Sequence, residues 1–111
     1  MIPAGVRIFV CSHPQDMRRS FDTLALAAKQ VLGEDPQSGA LFCFVGHRAT
    51  RLKILWWDGN GYCLLYKRLH RAVFHLPSRG DVATHKIQID GRELATLLAA
   101  VAHDRVLRKS A

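Results

Sequence analysis

The tetrapeptide "DGNG" at residues 58–61 lies between two runs rich in β-branched and aromatic residues, "RLKILWW" (Arg51 to Trp57) and "YCLLYK" (Tyr62 to Lys67). Glycine and asparagine accept the positive φ that tight hairpin turns demand, so the two runs are expected to fold back on one another as antiparallel strands. This signal commits the middle of the chain to β-structure. The run "ALFCFVG" (Ala40 to Gly46) joins the first strand of the hairpin through the short "HRAT" connection, and "HRAVFHLP" supplies a further strand that Pro77 ends. The middle of the chain therefore reads as a β-meander.

The flanking segments are different. "VRIFVC" (Val6 to Cys11) is a short strand composition without polar alternation, as expected of a strand buried on both faces. From Asp16 onward Met17, Phe21, Leu24, Ala28 and Val31 recur at helical spacing until Gly33, with Asp16 at the cap and Asp22 placed to pair with Arg18 or Arg19. After "HKIQID", which alternates like a short strand, "DGRE" (Asp90 to Glu93) has the spacing of a capping box, and Leu94, Leu97, Leu98 and Val101 form the stripe behind it. The expected class is α+β: a largely antiparallel meander sheet with an N-terminal-half helix and a C-terminal helix packed on one face. At 111 residues the chain is expected to form one domain over 1–111, with a basic tail at 103–111 that frays.

The chain carries 16 Lys and Arg against 9 Asp and Glu, a net charge of +7 that favours anionic partners. The excess is concentrated between His47 and Arg79, where Arg48, Arg51, Lys53, Lys67, Arg68, Arg71 and Arg79 face the single acid Asp58. A hairpin through "DGNG" brings Lys53 toward Lys67, so Arg48, Arg51, Lys53, Lys67, Arg68 and Arg71 are the candidate nucleic-acid contacts, converging on one sheet face where phosphates would be neutralised. Against this stands the ordinary reading, in which the same cations decorate solvated strand positions. Trp56 and Trp57 point to opposite faces of a strand, so one is expected in the core and the other is free to stack on a base, an arginine or a partner protein.

Other chemistries are poorly served. Three cysteines, Cys11, Cys43 and Cys63, sit in apolar runs with no CxxC or HxxxH spacing, which suits buried thiols in a reducing cytoplasm rather than a metal site. Asp16, Asp22, Asp58, Asp90 and Glu93 each have a cap, turn or pairing role, and there is no glycine-rich phosphate loop or nucleophile elbow. Neither enzyme activity nor a cofactor is expected, and no secretion signal or membrane-length apolar run is present.

The strings "DMRRSFD", "GEDPQSGALF" and "RLKILWWDGNG", in that order, give the chain its most specific signature. From about Arg7 to Leu98 it resembles the small accessory proteins called TnpB of the insertion-sequence family numbered sixty-six. These are distinct from the much larger RNA-guided nucleases that share the name. The resemblance implies a mobile-element protein encoded beside a separate transposase, with no catalytic residues of its own. The function expected from residues and resemblance together is a non-enzymatic accessory factor for DNA transposition that binds DNA through the basic sheet. Its partners would be DNA and the element-encoded transposase. The alternative is a protein-interaction adaptor that binds the transposase or self-associates as a homo-oligomer without touching DNA.

Overall fold

The structure is a computed structural model that describes residues 5–79 and 83–102. Its elements follow the chain as β1 (Ile8–Cys11), α1 (Phe21–Gln30), β2 (Leu41–Val45), β3 (Arg51–Trp57), β4 (Tyr62–Arg68), β5 (Ala72–Val73), β6 (Lys86–Ile89), α2 (Gly91–Ala99) and β7 (Val101–Ala102). Five strands form one sheet in the order β4, β3, β2, β1, β6, and β5 pairs with β7 in a separate two-stranded ladder. The expected meander is the antiparallel run β2, β3, β4. β1 lies parallel to β2, connected through α1, and antiparallel to β6.

All four residues of β1 are buried, and their alternation divides the core in two. Ile8 and Val10 face a cluster that contains Cys43, Leu52, Ile54, Phe74, Leu94 and Leu97. Phe9 and Cys11 face the other, with Leu24, Ala28, Phe42, Phe44 and Leu55. The α+β meander expected from sequence is present, but the two helices cover opposite faces of the sheet rather than sharing one. The physical reason lies in β1 itself: a central strand that is apolar at successive positions needs a cover on each side.

The helix boundaries also move. α1 begins after Ser20, whose backbone N–H donates to Thr23 Oγ1 at 3.0 Å, and it ends before Gly33 at φ +66. Asp16 instead closes a turn upstream of α1, accepting from the Arg18 N–H at 2.9 Å and from its guanidinium at 2.6 Å, so Arg18 pairs with Asp16 and not with Asp22. At α2 the expected box forms: Asp90 Oδ1 accepts from the Glu93 N–H at 2.8 Å, and Glu93 Oε1 accepts from the Asp90 N–H at 3.2 Å. The expected strand before Pro77 shortens to the two residues of β5. The frayed tail expected at 103–111 lies outside the described residues.

Candidate nucleic-acid interface

Because β2 and β4 run against β3, one end of the sheet collects the end of β1, the end of β2, the start of β3 and the end of β4. Three loops meet there. In the first, which follows β1, the Gln15 N–H donates to Val45 C=O at 2.9 Å and seats the loop on β2. The Gln15 side chain is buried and works in both directions: Nε2 donates to His13 C=O at 3.2 Å, and Oε1 accepts from Arg19 Nη1 at 2.8 Å. The Arg18 guanidinium and N–H on Asp16 hold that carboxyl well below the usual carboxylate range.

The second loop, Gly46 to Thr50, joins β2 to β3. A Cβ on Gly46 would come within 2.8 Å of Met17 Cγ, so glycine lets the first two loops touch. Ala49 follows at φ +58, its N–H donating to Gly46 C=O at 3.0 Å. The third loop leaves β4, and two short backbone bonds tie it to the second, Leu69 N–H to Thr50 C=O and Phe74 N–H to Ala49 C=O, both 2.7 Å. Within it Arg71 also has positive φ, at +58. Holding a non-glycine residue in this region costs about 1 kcal/mol or more, so Ala49 and Arg71 are conformations imposed by the cross-linked loops.

An open cleft of about 320 Å³ lies between Gln15, Asp16 and Met17 on one side and Gly46, His47, Arg48, Thr50 and Arg51 on the other. Arg48, Arg51, Arg68 and Arg71 are exposed along this end of the sheet. Among the described residues none of the four has a carboxylate within 4 Å. Arg51 and Arg68 are directly opposite across the β3–β4 ladder. The far end of the sheet is mixed in charge: Asp58 lies in the hairpin turn, while after β6 Asp90 and Glu93 stand with Arg92, and Arg79 pairs with Glu93.

Two of the six basic candidates do not join this group. Lys53 pairs with Tyr66 and Lys67 with Leu52, so the two lysines leave the sheet on opposite faces and the expected convergence on one face does not occur. Lys53 is only 6% exposed, with Nζ donating to Arg19 C=O at 2.6 Å and standing 4.7 Å from the Tyr66 ring centre. Lys67 Nζ donates to Leu98 C=O at 2.7 Å, in the last turn of α2 where a cation is favoured by the helix dipole. Both ammonium groups therefore serve the fold.

Trp56 and Trp57 sit at the other end of β3, roughly 17 Å along the strand from Arg51. Both are half-buried: Trp56 packs on the cluster beneath α2, and Trp57 meets Tyr62 edge-on at 5.1 Å. Arg18, Arg19, His47 and the anchoring Gln15 are the members of the arginine-rich end that sequence reasoning passed over. The strings "HPQDMRRS" and "GHRATR" held the signal, since each is a polar loop between apolar elements.

Cys11 and Cys43 are the buried thiols expected, burial pushing Cys43 up to about 12 and raising Cys11, whereas Cys63 is only half-buried and its thiol donates to Asp58 Oδ2 at 3.4 Å. No three His, Cys, Asp or Glu side chains are grouped to hold a metal among the described residues. No helix among them is long and apolar enough to cross a membrane.

The family model described as IS66 Orf2 like protein matches residues 6–108, which contain all three loops and the whole sheet. The chain belongs to this family. Its members are accessory proteins of IS66-type insertion sequences, encoded for transposition and not known as enzymes. The chain is 40% identical over 103 residues to the uncharacterised protein y4hO of Sinorhizobium fredii, covering 91% of this chain and 87% of that one. It is 35% identical over 105 residues to y4jC of the same organism, covering 95% and 87%. No solved structure matches the chain.

Proposed function

We propose that this IS66 Orf2-like protein serves transposition by binding the DNA backbone through the arginine-rich end of its sheet, with Arg48, Arg51, Arg68 and Arg71 as the phosphate contacts. The single observation that carries this reading is the Arg51–Arg68 pair. Like charges directly opposite on neighbouring strands destabilise a sheet, and here no carboxylate among the described residues relieves them. An anionic polymer would relieve them from outside. Arginine suits the task because its planar fork binds phosphate oxygens bidentately. The interface has no glycine-rich phosphate loop and no convergent carboxylates, so the role is binding and positioning, with strand chemistry left to the transposase.

The test is duplex binding measured across salt concentration. Each lost phosphate contact should reduce the slope of log K against log salt by about one. Arg51→Ala and Arg68→Ala should each do so. Unchanged slopes across Arg48, Arg51, Arg68 and Arg71 variants would overturn the proposal.

A second reading, an adaptor for the transposase, draws on the exposed rings of Phe21 (44%) and Tyr66 (49%), large apolar groups left open beside the helix start. Retention of the transposase through nuclease treatment and high salt, lost in Phe21→Ser, would favour it over DNA bridging.

A further inference from the structure

The outer edge of the five-stranded sheet is β4, paired on one side only. The bonds from Leu69 N–H to Thr50 C=O and from Asp58 N–H to Gly61 C=O fix the alternation of the ladder. Cys63, Leu65 and Lys67 turn their backbone groups toward β3, while Tyr62, Leu64, Tyr66 and Arg68 turn theirs outward. Among the described residues no backbone group pairs with that outward row. Leu65 and Tyr66 are 40% and 49% exposed on the same strand, so the edge is long and carries apolar side chains on both faces.

We propose that this edge is the contact between two copies of the chain, joined antiparallel about a twofold axis at Leu65. The sequence of β4 is self-complementary in that register. Tyr62 stands opposite Arg68, Leu64 opposite Tyr66, Cys63 opposite Lys67, and Leu65 opposite its own copy. All four outward residues of each strand are used, giving about eight backbone hydrogen bonds. No like charges face each other, and Arg68 meets an aromatic ring. Registers centred on Lys67 or Arg68 would set cations against themselves. The charges at the ends of this strand pair also agree: antiparallel joining brings the basic end of β4 in one copy alongside the turn that carries Asp58 in the other.

This arrangement has a consequence for DNA that rests on the function proposed above. The two arginine-rich ends lie at opposite ends of the joined strands, facing away from one another. A dimer of this kind holds two duplexes rather than clamping one.

The experiment compares the full chain with Leu65→Lys and Leu65→Cys by sedimentation equilibrium, non-reducing electrophoresis after mild oxidation, and capture of a labelled duplex by an immobilised one. The native chain should be dimeric, and Leu65→Lys should weaken association at least about tenfold by opposing two ammonium groups at the axis. Leu65→Cys should form a disulfide dimer while the native chain, whose Cys63 faces Lys67, does not. Residues opposite at a non-hydrogen-bonded position are about 4.5 Å apart at Cα, within disulfide reach. A monomeric native chain, or a dimer that Leu65→Lys leaves intact and Leu65→Cys does not cross-link, would overturn the proposal. A cross-linked dimer that binds no duplex would uphold the edge and remove the DNA reading. Duplex binding by Leu65→Lys without capture of a second duplex would support both.

Discussion

Arg51 and Arg68 lie directly opposite one another at the open end of the β3–β4 ladder, both exposed and neither with a carboxylate partner among the described residues. Stability and binding therefore pull in opposite directions at this pair. Arg51→Glu should convert repulsion into a cross-strand ion pair and raise stability by about 0.2 to 1 kcal/mol, read as a higher urea midpoint. The same change should lower duplex affinity at low salt by more than about tenfold, since one phosphate contact is replaced by a repulsive charge. A variant that gains stability and keeps full affinity would exclude Arg51 from the interface.

The lysines should behave differently from the arginines. Lys53→Ala removes a buried stem and leaves Arg19 C=O without its donor, a loss of about 2 kcal/mol or more. Lys67→Ala removes a cation from the end of α2 and should cost about 0.5 to 1 kcal/mol. Chemical denaturation checks both values. Neither substitution should change the salt slope of DNA binding in the fraction that remains folded.

The contrast also marks how far the sequence could be read. "DGNG" announced the hairpin, "DGRE" the start of α2, and the unbroken apolar run of β1 a strand covered on both sides. The pairing register was less accessible, because residue numbers across this ladder sum to 119 where a Lys53–Lys67 pairing requires 120. That single step turns one lysine onto the opposite face, since side chains alternate with period two. Arg48, Arg51 and Arg68 stood out in the sequence by their clustering, but the part of Arg18 and Arg19 at the same end did not, because that loop belongs to a separate segment which only the pairing of β1 with β2 brings alongside the start of β3. Local periodicity carries no information about which strand ends coincide.

Contact between the first two loops depends on the absence of a side chain at residue 46. Gly46→Ala places a methyl within 2.8 Å of Met17 Cγ and should destabilise by about 1 to 3 kcal/mol. Met17→Ala should relieve it. A double-mutant cycle in which the Gly46→Ala cost shrinks by at least about 0.5 kcal/mol in the Met17→Ala background would confirm the contact, and an additive pair would rule it out.

Acid should act on the same region through Asp16. Its folded carboxyl is held below the usual range by Arg18, so the group binds protons less readily in the folded than in the unfolded chain. The stability it contributes is complete above the unfolded value near 4 and is lost as pH falls from there toward the lower folded value. Asp58 and Glu93 are lowered in the same direction, the first chiefly by the Asn60 N–H and the second chiefly by Arg79. Asp16→Asn should therefore flatten the fall in thermal midpoint between about pH 4 and pH 2 and leave the curve above pH 5 parallel to the native one.

Arg71 combines a strained backbone with a side chain at the proposed interface. Its φ of +58 is one that glycine adopts without cost, so Arg71→Gly removes strain of about 1 kcal/mol, offset in part by the greater freedom of glycine in the unfolded chain. Stability should stay level or rise by about 0.5 kcal/mol, while the salt slope of DNA binding falls by about one as the guanidinium is lost. Ala49→Gly, at the matching φ of +58 in the neighbouring loop, separates the two effects, because it relieves strain without deleting a charge. It should raise stability by a similar amount and leave the salt slope unchanged. Calorimetric melts and duplex titrations on these two variants distinguish an arginine held in place for binding from one that merely tolerates its turn: in the second case Arg71→Gly and Ala49→Gly would have the same binding profile.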